Sequence, residues 1–366
     1  MESCLKKYWK KKRIVLILGS GFLLGCIGIG NTLKNLNFPV FVHSEVSDLE
    51  QQDTENEQKD YIKWVDFNVC YQALEDAYLW DVKTHGQEVE LHWISLLAYL
   101  ACRNGGDFSD YHSSDMDTIA EILINHETTL EEMTKDKKYY SYYLEAYTAV
   151  LDGMVGTYEI QIDGENGEKT WETKYGLKAF SPIAKGFEYY DYDDFGKPRA
   201  YGYSRPHLGH DMMGQIGTPI TAIESGYVEA LGWNQYGGWR IGIRSFDKKR
   251  YYYYAHLRQN FPYYQTLKEG SIVQAGDVIG YMGHTGYSST ENVNNIETVH
   301  LHWGLQLIFD ESQKDGNNEI WIDCYQLTRF LAQNRSETCK DPETKDYNRV
   351  YEIKDPAANE RSSQTS

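Results

Sequence analysis

The chain has 366 residues, of which 54 are acidic and 36 are lysine or arginine, so its formal net charge is −18. This charge argues against a nucleic-acid partner, because no basic surface is present to neutralise phosphates. The length exceeds that of a usual single domain, and we expect two folded units with tails. The six cysteines follow neither a disulfide-rich pattern nor zinc-finger spacing.

The N-terminal region combines a basic run with an apolar segment. Five lysines and Arg13 precede residues 14–30, which carry no charge. Seventeen helical residues span roughly 25 Å, which is enough for a thin hydrocarbon core. Positive charge before such a segment keeps the N-terminus in the cytoplasm. Residues 1–36 therefore predict a single-pass signal anchor in a cell membrane, with the rest of the chain outside the cytoplasm.

Two alternatives for the same segment stay open. Residues 23–26 read Leu-Leu-Gly-Cys and resemble a lipobox, which would make Cys26 the attachment site of a lipoprotein. Against this, apolar Ile27 and Ile29 follow where a polar tether is expected. A cleaved signal peptide would give a secreted protein, but no small-residue cleavage site of the A-x-A type follows the segment. The anchor is therefore favoured.

The next two regions differ sharply in pattern. Residues 37–60 are acidic and polar, and they predict a solvated linker. Residues 61–155 show apolar positions at helical spacing, such as Leu91, Ile94, Leu97 and Ala98, and they predict an all-helical domain of four or five helices.

From about residue 156 the pattern changes to strands and turns. Residues 156–200 predict a β-rich connector, and short strands recur at 220–231, 239–246, 251–257, 278–282 and 299–309. Residues 313–340 predict a terminal helical segment, and residues 341–366 a polar, loosely packed tail. Helices followed by strands indicate an α+β multidomain chain with a C-terminal antiparallel β domain.

Two short motifs carry the candidate chemistry: HLGHD at 207–211 and HLH at 300–302. Spacings of four and two residues suit strands, on which these side chains share one face. Alternating apolar residues from Val299 to Phe309 support a strand around the second motif. His207, Asp211 and His302 are therefore candidate zinc ligands, since catalytic zinc needs three protein ligands and an open position for water.

The order of these motifs resembles the M23 family of lysostaphin-like zinc metallopeptidases. That family shows HxGxD, then a histidine at the end of a strand, then HxH. Here these read 207–211, then Tyr254-Ala255-His256-Leu257, then 300–302, with glycine turns near 217, 226, 276 and 283 between them. The resemblance covers roughly residues 200–310, and a peptidase domain at 201–312 is expected.

The resemblance implies a function for each motif residue. His207, Asp211 and His302 would bind one Zn²⁺, while His256 and His300 would act on the water and the scissile carbonyl. The protein would be a membrane-anchored, extracytoplasmic zinc metalloendopeptidase that hydrolyses peptide bonds of peptidoglycan. Its partners would be the peptidoglycan peptide and the membrane, through residues 14–30. The alternative is a catalytically silent scaffold or binding module with the same fold at the cell envelope.

Other residues near the motifs have simpler interpretations. His210 would face away from the ligands in an extended segment and is expected to be packed or hydrogen-bonded. His284 lies in a turn at a position that the family does not require. Residues 289–298 depart from the family pattern, because relatives reach HxH almost at once, and this loop is expected to border the substrate groove. Cys324 and Cys339 are compatible with a disulfide, but the sequence does not decide it.

Overall fold

The computed structural model describes residues 61–358 except residues 202, 315 and 317, together with the side chains of that part except those of residues 201 and 203. The predicted anchor at 14–30 and the linker at 37–60 lie outside the described residues. Within the described part, no helix is both long enough and apolar enough to cross a bilayer.

Five helices come before the first strand of the described chain, which agrees with the predicted number. They are α1 Tyr71–Thr84, α2 Trp93–Asn104, α3 Ser113–Ile124, α4 Leu130–Thr134 and α5 Tyr140–Leu151. Helix α2 ends where Gly105 takes a left-handed conformation with φ of 68°, which suits glycine because it has no Cβ. Leu96, Leu97 and Leu100 form the buried face of α2.

Strands dominate the rest of the described chain. In chain order they are β1 Val155–Asp163, β2 Lys169–Leu177, β3 Tyr190–Asp191, β4 Pro198–Tyr201, β5 Tyr203–Pro206, β6 His210–Met213, β7 Pro219–Thr221, β8 Gly226–Asn234, β9 Gly238–Ser245, β10 Arg250–Ala255, β11 Ile272–Val273, β12 Val278–Tyr281, β13 His300–Leu307, β14 Ile320–Ile322, β15 Thr338–Lys340, β16 Tyr347–Arg349 and β17 Ile353–Lys354. A sixth helix, α6 Tyr325–Leu331, follows β14.

The largest sheet confirms the predicted antiparallel β fold of the C-terminal part. Its order is β11-β8-β9-β10-β13-β6-β3, and β14 also pairs with β13. Alternation along the strands separates two faces. One face is apolar and buried, with Ile241, Tyr252 and Trp303 on three neighbouring strands. The other face carries Tyr253 and His302 and is the face on which the candidate site lies.

The C-terminal region differs from the sequence-based expectation. Among the described residues of the predicted helical segment at 313–340, the seven-residue helix α6 lies between the strands β14 and β15. The described residues of the tail at 341–366, which was expected to be loose, form β16 and β17, and β17 pairs with β1. Short strands of polar composition pair through their backbones, so hydropathy does not reveal them. The Cys324 thiol is buried, the Cys339 thiol is exposed, and both are free.

One hydrophobic core connects the helices with the large sheet. It contains buried residues of α2 and α5 together with residues of β9, β10 and β13. A buried ion pair also joins the two parts, because Arg250 Nε lies 2.7 Å from Glu224 Oε2 while Arg250 Nη1 donates to the Ala149 carbonyl at 3.1 Å. The described residues from 61 to 358 belong to one structural unit. The domain boundary near residue 155 stays a prediction.

Candidate metal centre

Three side chains converge on one point at the polar face of the sheet. His207 Nε2 lies 3.0 Å from Asp211 Oδ1 and 3.0 Å from His302 Nδ1, and the last two atoms are 2.9 Å apart. These are the three residues that the motifs predicted as ligands. Among the described residues they form the group that is able to hold a metal ion.

Neighbouring strands position two of these side chains. Asp211 on β6 pairs directly with His302 on β13, so the two side chains project side by side from the same face. His207 lies before β6, although the motif spacing predicted that both ends of HxGxD share one strand. Its backbone pairs instead with the chain around Lys197, because His207 N donates to the Lys197 carbonyl at 2.9 Å.

The glycine between the two ligands of the first motif has a steric role. A Cβ at Gly209 would lie 2.6 Å from the ring of His302 and 2.7 Å from the Trp303 carbonyl oxygen. Such distances are far below van der Waals contact, so a side chain at position 209 would displace the ring. The ring of His302 reaches the other two ligands because position 209 has no side chain.

Asp194 contacts the His207 ring on the side opposite Nε2, and the sequence pattern did not predict this residue. Its Oδ1 lies 3.0 Å from His207 Nδ1, and its other oxygen pairs with the Arg199 guanidinium. Arg199 Nη2 also reaches Asp211 Oδ2 at 3.3 Å. A carboxylate behind a metal-binding histidine fixes its ring orientation and leaves Nε2 free as a ligand. Nothing in the spacing of residues 190–194 signals this role.

The three residues fit a zinc ion. Two imidazoles and one carboxylate are a donor set that zinc accepts, and three protein ligands leave a fourth position open. A tetrahedral zinc ion with bonds of about 2.0–2.1 Å holds its ligand atoms about 3.3 Å apart, close to the separations found here. Burial acts to raise the pKa of the Asp211 carboxyl, but hydrogen bonds with His207 and His302 outweigh burial and keep that pKa well below its usual range.

His256 and His300 lie beside this centre, as the resemblance predicted. Their ring centroids are 4.7 Å apart, and His300 Nε2 is 3.8 Å from Asp211 Oδ1. Each Nδ1 faces a backbone carbonyl at 2.9 Å, that of Thr285 for His256 and that of Thr298 for His300. Nδ1 therefore donates in both rings, which leaves Nε2 of each neutral ring as the atom for proton exchange.

The position of His256 depends on an unusual backbone conformation. His256 directly follows β10, and its φ of 61° places it in the left-handed region. Its backbone N–H donates to the Gly237 carbonyl at 2.8 Å, which holds the turn in place. Burial, together with the neighbouring rings of His300 and His302, lowers the pKa of His256 well below its ordinary value. This imidazole is therefore neutral at pH 7.

The two other histidines of this region have structural contacts. His210 Nε2 lies 2.9 Å from Asp191 Oδ2 on β3, and its ring packs against Tyr325. His284 Nδ1 donates to the Ile296 carbonyl at 2.7 Å and ties down the loop at 289–298. In that loop, Asn292 accepts a hydrogen bond from Trp239 Nε1 at 2.9 Å.

A groove continues from the metal centre across the polar face of the sheet. Arg205, Tyr236, Tyr253 and His302 line both the pocket at the centre and the groove. Arg205 donates to Tyr287 Oη at 3.0 Å, and its guanidinium packs over the rings of Tyr236 and Tyr287. Sequence reasoning missed Arg205, because a lone arginine in a β hairpin carries no signal.

In the described part of the chain, the fold and the site define one candidate metal centre on an antiparallel sheet, flanked by two histidines. Residues 205–315 match the family described as Peptidase family M23. The resemblance predicted from the motifs is thereby confirmed for this segment.

Individual proteins match over parts of their length. The chain is 37% identical over 124 residues to the L-Ala–D-Glu endopeptidase of Bacillus subtilis, which covers 34% of this chain and 36% of that protein. It is 38% identical over 89 residues to lysostaphin of Staphylococcus simulans, covering 24% of this chain and 17% of lysostaphin. These matches therefore span well under two thirds of the relatives.

A solved structure from Ruminococcus gnavus, assigned as a glycyl-glycine endopeptidase, covers 73% of this chain and 89% of its own. Its sequence identity is 23% and its TM-score is 0.49.

Proposed function

We propose that this chain is a zinc-dependent endopeptidase that hydrolyses peptide bonds of peptidoglycan. The convergence of His207, Asp211 and His302, with His256 and His300 beside them, carries the proposal. Its support from the comparisons is the match to Peptidase family M23 and the endopeptidases among the relatives. A scaffold would not need to keep three ligands and two further histidines around one point.

His207, Asp211 and His302 would hold the zinc ion, with Asp194 orienting His207. Zinc in such a site supplies Lewis-acid chemistry, which polarises a carbonyl group and makes a water molecule more acidic. Asp194 and Arg199 keep the ligand side chains in one arrangement before substrate arrives, so little reorganisation is needed during the reaction.

The two flanking histidines would divide the proton transfers. His256 is neutral because its pKa is lowered, so its Nε2 is suited to accept the proton of the attacking water. His300 would act from the other strand in its protonated form, with Nδ1 still donating to its backbone carbonyl and the second proton on Nε2 either held towards the developing oxyanion or given to the leaving amine. Both rings are held at Nδ1 by backbone carbonyls, which keeps Nε2 in position.

The proposed location is the outer face of a bacterial cell membrane, with residues 14–30 as the anchor. The basic run before this segment supports the orientation. A reporter that is active only after export, fused behind residue 340, should be active in cells. An inactive fusion of this reporter, together with activity of a reporter that works only in the cytoplasm at the same position, would contradict the location and remove access to the wall.

Digestion of purified peptidoglycan by the full-length protein tests the function. Soluble peptides with new amino termini should appear, the sample should contain one zinc ion per chain, and a chelator should abolish release until zinc is restored. A folded, zinc-loaded protein that releases nothing would instead favour the scaffold.

A further inference from the structure

The groove beside the metal centre contains positive charge that the protein itself does not neutralise. Arg205 and Arg240 both line it. Their Nε atoms are buried and have no hydrogen-bond partner among the described residues. Burying a charged donor without a partner is costly, so such groups call for a ligand.

A second arginine on the same strand, Arg244, has the partners that Arg240 lacks. Arg244 lies four residues further along β9 and therefore on the same face. Its guanidinium contacts Glu229 at 3.3 Å and Glu311 at 2.5 Å, and its Nε donates to the Lys248 carbonyl. In the described part of the chain, no carboxylate forms an ion pair with Arg240.

The other charges of the groove do not compensate the two arginines. Lys314 pairs with Glu229, so this lysine adds little net charge. Glu319 supplies one negative charge against the two arginines, but it accepts a hydrogen bond from Trp321 Nε1 at 2.8 Å and, in the described part of the chain, forms no ion pair with either arginine. The excess of positive charge therefore lies at the end of the groove that leads to the metal centre. In a chain with a net charge of −18, this is a local reversal of sign.

The register of the sheet gives the separation between Arg240 and His302, a residue of the candidate metal centre. Ile241, the residue after Arg240, pairs with Tyr254, and Ala255 pairs with His302. Arg240 and His302 are therefore about two strand spacings apart, or about 10 Å between backbones. An extended peptide covers that distance in about three residues.

Two glycines on the polar face are covered by aromatic rings. A Cβ at Gly242 would lie 1.9 Å from Tyr251 Oη, so Tyr251 lies across this glycine. A Cβ at Gly304 would lie 2.8 Å from the ring of Trp321 in the same way. By the register of the sheet, the strand position between Arg240 and His302 is Ala255, whose side chain is a single methyl group.

We infer that Arg240 and Arg205 form an anion subsite, which binds a free carboxylate of the substrate peptide within about three residues of the scissile bond. The inference rests on the proposed function and specifies its substrate class: acidic peptides in preference to their amidated forms. A guanidinium binds a carboxylate through paired hydrogen bonds, which explains the choice of arginine at both positions.

Two synthetic cell-wall peptides that differ only in one carboxylate or carboxamide near the scissile bond test the subsite. The zinc-loaded full-length protein should cleave the carboxylate form with a kcat/KM about 10- to 100-fold higher, because that is the usual contribution of a charged hydrogen bond. Arg240→Gln should reduce this ratio towards one, mainly through KM. Arg240→Lys, which keeps the charge, should restore part of it.

Arg103→Gln is the matched control, since it removes the same charge from helix α2 at an exposed ion pair with Asp115. This variant should keep the wild-type ratio of kcat/KM between the carboxylate and carboxamide peptides. Equal cleavage of the two peptides by the wild type, or an unchanged ratio in Arg240→Gln, would overturn the subsite.

Calorimetric binding of both peptides separates the subsite from the reaction. If neither peptide is cleaved, the endopeptidase proposal fails. Carboxylate-selective binding that is lost in Arg240→Gln would still support the subsite, and equal binding of both peptides would overturn it as well.

Discussion

The five residues at the centre fall into two groups according to what their nitrogen and oxygen atoms contact. His207, Asp211 and His302 point at one another, whereas His256 and His300 are each tied to a backbone carbonyl through Nδ1. The first arrangement suits a shared ion, and the second suits proton transfer at a fixed atom.

Alanine substitutions should separate these two groups. Loss of His207, Asp211 or His302 removes one of three ligands, so zinc and activity should disappear together. His256→Ala and His300→Ala should keep zinc and lower turnover by about 10²–10⁴-fold. Zinc content by mass spectrometry and turnover on cell-wall peptides give the comparison.

His210→Ala is the matched control, because this ring is bound to Asp191 and not to the centre. It should keep zinc and turnover. Loss of zinc in His300→Ala, or loss of turnover in a folded His210→Ala, would show that the roles are assigned wrongly.

The lowered pKa of His256 predicts the acid side of the pH–rate profile. A base must be neutral to accept a proton, and a lowered pKa keeps the imidazole neutral to a lower pH. The kcat/KM should therefore be sustained through pH 6.5, the ordinary pKa of histidine, and fall only below about that value. Bound zinc adds positive charge and acts in the same direction.

The profile needs zinc content measured at each pH, so that metal loss is not mistaken for titration. An acid limb at or above pH 6.5 with zinc retained would be inconsistent with His256 as the base.

At the scale of elements, the sequence pattern predicted the strand β13. It did not predict the segment before β6 that brings His207 to β13. Alternation from Val299 to Phe309 identifies its buried face and places His300 and His302 on the other. The position of His207 before β6, and the hydrogen bond from its backbone to Lys197, depend on a hairpin at 198–206 that has no clear pattern. Asp194 was missed for the same reason, because tertiary packing alone brings it to His207.

Gly209 offers a test of how closely the two ligand segments must approach. Gly209→Ala should displace the His302 ring and weaken zinc binding by about 10- to 100-fold, as losses of ligand-orienting groups do. Competition with a chelator of known affinity measures the change.

Gly156→Ala is the control, since its added Cβ would lie 3.7 Å from the nearest atom, Lys178 Cε, an ordinary contact. Unchanged zinc affinity in Gly209→Ala would show that the strands adjust without cost.

At the scale of the whole molecule, the spacing of apolar residues predicted helices followed by strands but not how they share a core. Burial of α2 and α5 with β9 and β13 in one cluster is a long-range property that periodicity does not report. The pair of Glu224 and Arg250 is the polar part of that junction, and Tyr252 donates a further hydrogen bond to Glu224 at 2.7 Å.

Glu224→Gln should lower the free energy of unfolding by about 3–5 kcal/mol, because Arg250 is then left as a buried charge with a weakened set of partners. Glu159→Gln breaks an exposed ion pair with Lys354 and should change the free energy of unfolding by less than about 1 kcal/mol. Chemical denaturation of both variants measures the difference. Equal effects would mean that the buried pair does not stabilise the junction.

The pairing of Asp211 with His302 also has a consequence for the order in which the protein is made. The two ligands are 91 residues apart, and His302 leaves the ribosome last. At about 5–20 residues per second, that interval lasts about 5 to 18 s. The nascent chain therefore carries two ligands without the third until most of the sheet has been synthesised. The candidate metal centre is therefore completed in one step, late in biosynthesis, when β13 enters between β10 and β6.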